Sequence, residues 1–196
     1  MKILAFSDLH CDMAAARTIV EAAKEADLVL GAGDFAQVHE GLEETMAVLA
    51  PLNDKMICIP GNNETLEALK AATDALVLHG QVVDLDVVTV AGLGCAIPPL
   101  PPTSWNSFDL SEEDAEEMLL EMRSADILVT HSPPKGLVDS HASLGSLGSV
   151  AVRGWIKAHE PELVFCGHIH DCWGQSGDIG VSNIHNLGPT VNWFEA

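Results

Sequence analysis

Apolar runs of strand length recur along the chain at residues 3–6, 28–30, 56–59, 87–90, 127–129 and 163–165. Longer segments of helical composition separate them, at 14–24, 42–49, 65–72, 112–123 and 150–159, each bounded by turn formers or charged residues. This alternation predicts an α/β sandwich built largely on parallel strands. Before the fourth helical segment, Ser111 and Asp114 have the spacing of a capping box, and Glu112 and Glu113 lie where a helix N-terminus favours negative charge. That acidic run reads as a solvated helix start.

Two stretches interrupt the pattern. Residues 92–109 contain Pro98, Pro99, Pro101 and Pro102, too much proline for a buried sheet or helix, so a loop or lid is expected there. Within it Trp105 and Phe108 are candidates to touch substrate, with packing of the loop onto the body as the alternative. Residues 141–149 carry Gly145 and Gly148 without the Gly-Lys-Ser/Thr ending of a nucleotide P-loop, and predict only a lead-in to the next helix.

A chain of 196 residues with 47% hydrophobic content can bury one sizeable core, so one globular domain over 1–196 is expected. The first apolar run meets Asp8 at once, unlike a signal peptide, and no run reaches the roughly 18 residues that span a bilayer. A cytoplasmic protein without a membrane partner is therefore expected. Cys11, Cys58, Cys95, Cys166 and Cys172 include no Cys-x-x-Cys pair, which argues for reduced thiols. The formal charge of −20, from 29 acids against 9 bases, repels long nucleic acid, and no Lys/Arg cluster offsets it.

The chemistry lies in an ordered set of motifs: Asp8-Leu9-His10, Gly33-Asp34, Gly61-Asn62-Asn63-Glu64, Thr130-His131 and Gly167-His168-Ile169-His170. Each follows an apolar run, so the polar residues fall at the C-terminal ends of predicted strands, where ligands collect in open α/β sheets. If the chain stays extended there, Asp8 and His10 point the same way, as do His168 and His170. Carboxylates, an amide oxygen and imidazoles without thiolates suit manganese, iron, zinc, nickel or cobalt. Asp34, alone in its turn, is the candidate to bridge two such ions. His39 follows it closely enough to overhang the site, whereas His79, His141, His159 and His185 read as surface or packing residues.

In this order the motifs resemble the calcineurin-like metallophosphoesterase superfamily. The compact length, the Thr130–Gly136 run and the Cys-Gly-His-Ile-His run are similar to its small prokaryotic-type members. The resemblance implies a four-layer αββα sandwich of two mixed sheets flanked by helices, with a dimetal site at the strand C-terminal edge. It implies one metal on Asp8, His10, Asp34 and His170, and a second on Asp34, Asn62, His131 and His168. It further implies hydrolysis of small phosphate esters by a metal-bridging hydroxide, with manganese favoured. Exposed strand edges leave a homodimer as a further expectation.

One residue departs from the family pattern. Members commonly carry histidine after the metal-binding asparagine, where it assists the leaving group; this chain has Asn63. An amide donates a hydrogen bond but delivers no proton. Losing a general acid costs on the order of 10² to 10⁴ in rate, which shifts the expectation toward phosphodiesters over monoesters and leaves His39 as the other candidate for assistance. Structurally, Asn63 suits a cap for the helix expected from Thr65. The alternative function is a non-catalytic metal-binding scaffold of the same fold.

Overall fold

The computed structural model describes residues 1–102 and 104–196; Thr103, within the proline-rich stretch, lies outside the described residues. The first half alternates β1 (Lys2–Phe6), α1 (Met13–Ala22), β2 (Leu28–Gly31), α2 (Leu42–Leu49), β3 (Met56–Cys58), α3 (Leu66–Ala72) and β4 (Leu76–Val77). The second half adds β5 (Gln81–Asp84), β6 (Thr89–Leu93), α4 (Glu112–Leu120), β7 (Ile127–Thr130), β8 (Ser140–His141), β9 (Gly145–Ser146), α5 (Val150–His159), β10 (Leu163–Cys166), β11 (Ser176–Ile179), β12 (Ser182–Asn186) and β13 (Asn192–Glu195).

One sheet runs β13-β1-β2-β3-β4, parallel except for β13. The other runs β11-β12-β10-β7-β6-β5, with a parallel centre and an antiparallel strand on each edge. Residue alternation stacks them. In β1, Ile3 and Ala5 join Leu30, Ile57, Val90, Ile127, Val129 and Phe165 between the sheets. Leu4 and Phe6 turn the other way, onto Ile19, Met46 and Leu49 of α1 and α2. Leu128 and Val164 likewise turn outward onto Leu119, Val152 and Ile156 of α4 and α5. The result is the four-layer αββα sandwich, with each fully buried Leu, Ile or Phe contributing about 1.5–3 kcal/mol of burial.

Side chains supply the starts of α1, α3, α4 and α5, whereas α2 begins at Gly41 without one. Asp12 accepts the N–H groups of Ala14 and Ala15, Thr65 that of Ala68, Ser111 that of Asp114 and Ser149 that of Val152. Thr65 thus caps α3, and Asn63 does not. The apolar run at 87–90 is displaced: the β5–β6 hairpin closes through the Leu85 N–H on the Val88 carbonyl, which leaves Val87 exposed in the turn and starts the strand at Thr89. Residues 141–149 are more than a lead-in, because β8 and β9 pair across them. The strands β5, β11, β12 and β13 carry too few apolar residues to stand out in the sequence pattern, whereas β4 lies in an apolar run at 75–78, outside the strands predicted from sequence. No helix among the described residues is long and apolar enough to cross a membrane.

Candidate metal centre

The loops that leave β1, β2, β3, β7 and β10 meet at one edge of the sandwich. The extended geometry expected there is corrected by the structure: Asp8, His10, Asp34 and His168 all have left-handed backbone, with φ of 54°, 43°, 58° and 67°. Such conformations cost non-glycine residues roughly 1–3 kcal/mol and persist where surrounding contacts enforce them. Here the two loops are laced together: Asp8 N–H donates to Gly33 O at 2.9 Å, His10 N–H to Asp34 O at 2.9 Å and Cys11 N–H to Phe35 O at 3.1 Å.

The predicted ligand residues converge as two groups. Asp8, His10 and His170 form one; Asp34, His131 and His168 form the other, each with its ligand atoms within 4.8 Å of one another. In the first, His10 Nε2 lies 3.1 Å from His170 Nε2, and His170 Nε2 lies 3.8 Å from Asp8 Oδ1. Asn62 joins the second through its Oδ1, 3.1 Å from His131 Nε2. Asp34 Oδ2 stands between them, 3.3 Å from His131 Nε2 and 3.6 Å from His10 Nε2.

Three of the predicted ligand residues, His131, Asp8 and Asp34, are oriented from behind. His131 donates from Nδ1 to the Ala32 carbonyl at 2.8 Å, which turns Nε2 toward Asp34 and Asn62. Asp8 Oδ2 accepts from the Ser7 hydroxyl and from Trp173 Nε1, while Asp8 Oδ1 accepts from His168 N–H. The Asp34 carboxylate takes Asn63 N–H on Oδ1 and Asn63 Nδ2 on Oδ2, both at 2.8 Å. Glu64, buried behind the loop, accepts N–H groups from Asp34, Ala36 and Gly61. Glu64 closes one of the sequence motifs but had no role assigned to it; Ser7 and Trp173 were not singled out from sequence, although Ser7 precedes the first motif and Trp173 shortly follows the last.

The motif glycines have a steric reason. A Cβ on Gly61 would lie 2.1 Å from Asp34 Oδ1, and one on Gly167 would lie 2.3 Å from Asp8 Oδ2. Both positions lie against a carboxylate and exclude any side chain.

Titration reflects this crowding. Burial opposes the Asp34 charge, but His131, His10 and the Asn63 N–H outweigh it and hold the carboxyl well below the usual range. Burial likewise opposes charge on His131, yet the Asp34 carboxylate raises it to about 9. Burial and then the neighbouring His131 charge push His168 down to about 3. Burial and the Asp34 charge raise Glu64 to about 7 against its N–H donors.

The rim residues attach to the Asn62-Asn63 segment. His39 donates its N–H to the Asn63 carbonyl and its Nε2–H to the Asn106 carbonyl at 2.6 Å, with its ring 5.7 Å from that of Trp105. Asn62 Nδ2 donates to Ser107 Oγ at 3.1 Å, and Phe108 N–H donates to the Asn62 carbonyl at 3.0 Å. The Phe108 ring packs against His79 at 5.7 Å.

The donor set fits divalent cations. It combines carboxylate, amide and imidazole atoms without a thiolate, and the only ion-pair partners of Asp8 and Asp34 among the described residues are imidazoles. His10 faces the group with Nε2, 3.1 Å from His170 Nε2, and its buried Nδ1 has no hydrogen-bond partner among the described residues.

Among solved structures, the TT1561 protein of Thermus thermophilus superposes with a TM-score of 0.75 at 18% identity, over 98% of this chain and 97% of that one. A phosphopantetheinyl hydrolase from Mycobacterium tuberculosis gives 0.57 at 12%, over 96% and 90%. An archaeal phosphodiesterase gives 0.54 at 17%, over 96% and 84%. At such identities the likeness is one of fold. Among curated protein sequences no match is found. The profile of the calcineurin-like phosphoesterases matches residues 1–172, and the chain therefore belongs to that family of metal-dependent phosphoesterases.

Proposed function

We propose that this chain hydrolyses small phosphodiesters at a centre of two divalent cations. The observation that carries the reading is the position of Asp34 Oδ2, a single carboxylate oxygen within 3.6 Å of an imidazole from each ligand group. Asp8, His10, Asp34 and His170 would hold one ion, and Asp34, Asn62, His131 and His168 the other. Manganese is favoured, and iron, zinc, nickel and cobalt match the same donors. Such ions, when bound, supply Lewis acidity and bring the acidity of water toward neutral pH.

The protein's own part is placement. Ala32, Ser7, Trp173 and Asn63 fix the directions of the ligand atoms, while His39 and Trp105 form an aromatic wall beside the Asn62-Asn63 segment. A diester carries less charge than a monoester into a chain of net charge −20. The same field disfavours long nucleic acid, and the reduced thiols suit the cytoplasm.

The test is hydrolysis of an aryl phosphodiester by metal-stripped protein reloaded with manganese, with Asp34→Asn in parallel. Turnover by the wild type, at least tenfold above the aryl monoester and lost in Asp34→Asn, is expected. A folded, metal-loaded wild type without turnover on either ester points instead to the metal-binding scaffold.

A further inference from the structure

Asn63 occupies the position from which family members assist the leaving group, yet both ends of its side chain engage the protein. Oδ1 accepts the Val38 N–H at 2.8 Å, and Nδ2 donates to Asp34 Oδ2 at 2.8 Å. These partners set the orientation of the amide, because a backbone donor requires the oxygen and a carboxylate requires the nitrogen. Asn63 is 5% exposed. Its backbone carbonyl also accepts the His39 N–H, so one residue holds both members of a left-handed pair, Val38 at φ 49° and His39 at φ 67°. His39 in turn directs Nε2–H to the Asn106 carbonyl. The Asn63 amide, which delivers no proton, thus spends its N–H on the Asp34 carboxylate, and His39 spends its Nε2–H on a backbone carbonyl.

We propose that Asn63 is a positioning residue that clamps the shared Asp34 oxygen, and that the site consequently acts on phosphoric anhydrides, namely P1,P2-disubstituted diphosphates, whose leaving group departs as a stable anion. The substrate half of this inference rests on the phosphodiesterase reading above; the clamp does not. In the reaction the water oxygen bonds to one phosphorus and the bond between that same phosphorus and the bridging oxygen breaks. The electron pair of that bond stays on the bridging oxygen, which departs with the second phosphate, and the protons of the attacking water go to solvent as the two phosphate monoesters ionise at neutral pH. No proton donor is needed at the leaving oxygen, whereas an alkoxide departing from an alkyl ester needs one. A disubstituted diphosphate is also a diester at each phosphorus.

Two measurements decide it. The first is a leaving-group series on manganese-loaded wild type, comprising a disubstituted diphosphate, a nitrophenyl diester, a phenyl diester and an alkyl diester. The diphosphate and the nitrophenyl ester are expected to exceed the alkyl ester by about 10² or more. Rates within tenfold across the series would mean that a general acid operates and would overturn the substrate class. No hydrolysis of any member overturns the phosphodiesterase reading itself and the substrate class with it.

The second measurement is a calorimetric manganese titration of wild type and Asn63→Ala, both checked by circular dichroism, and it needs no activity. Loss of the clamp is expected to weaken manganese binding about 10- to 100-fold while leaving the slope of the leaving-group series unchanged. Unchanged metal affinity, or an Asn63→Ala series that falls more steeply toward alkyl esters, would show that Asn63 acts on the leaving group and would overturn the clamp. Should Asn63→Ala fail to fold, Asn63→Ser, which keeps a short donor, replaces it in the same titration.

Discussion

Glu64 accepts the backbone N–H of Asp34 at 2.8 Å, and with the same oxygen it accepts the N–H of Gly61 at 2.7 Å. Its other oxygen takes the Ala36 N–H at 3.0 Å. A single buried carboxylate thus ties the loop that follows β2 to the loop that follows β3, and the left-handed turn at Asp34 depends on it. Glu64→Gln turns one acceptor into a donor that faces a backbone N–H. A loss of about 1–3 kcal/mol in stability is expected, together with weaker metal binding, measured by denaturant melts and metal titration. Unaltered midpoint and affinity would remove Glu64 from this role.

Gly61→Ala tests close approach rather than hydrogen bonding. The added methyl would sit 2.1 Å from Asp34 Oδ1 and 2.3 Å from Asp34 N, so the carboxylate has to move. Metal binding is expected to fall by at least tenfold, in the range seen when groups supporting metal ligands are lost. A control at Gly154, where a Cβ meets nothing within 4 Å, is expected to leave the affinity unchanged.

Glu112 joins the two outer helices of the second layer pair. From the first turn of α4 its carboxylate accepts Val150 N–H, Ala151 N–H and the Ser149 hydroxyl at the start of α5. It therefore serves orphan donors of a helix N-terminus and meets the positive end of that helix dipole. Glu112→Ala is expected to cost about 1–2 kcal/mol, the size of a lost cap, seen as a lower chemical midpoint with metal binding intact.

His79 and His185 make the metal-free protein sensitive to acid. Burial first, and then Lys70, hold His79 below its ordinary value of 6.5. Burial against Phe165 and Phe194 does the same for His185, with Asp178 opposing. Both groups take up protons in the unfolded chain before they do so in the folded one, so stability falls as pH drops below about 6.5. Thermal melts in chelator from pH 7.5 to 5 are expected to show the decline, with a shallower slope in His185→Gln. Parallel slopes for the two proteins would exclude His185 from it.

The acidic start of α4 shows how far local sequence reaches. Ser111 accepts the Asp114 N–H as its spacing predicted, because a cap depends on residues within one turn. The bonding of Glu112 to the start of α5 was not visible there, because its partners lie almost forty positions away. The central parallel strands were legible for a similar reason: in a four-layer sandwich both faces of β1, β2, β7 and β10 are covered, so their residues are continuously apolar. An edge strand such as β11 pairs on one side and turns the polar Ser176 and Asp178 outward, which erases the contrast.

At the site, residue types and their order were sufficient to name the donor atoms, since carboxylate, amide and imidazole chemistry is intrinsic to each side chain. Tertiary structure alone decided how those atoms are held. The left-handed turns at Asp8, His10, Asp34 and His168, the support of Asp34 by Asn63 and Glu64, and the reach of Trp173 to Asp8 each depend on contacts between loops from different strands. Such contacts form only when two sheets bring distant segments to one edge, and periodicity along a single segment carries no record of them.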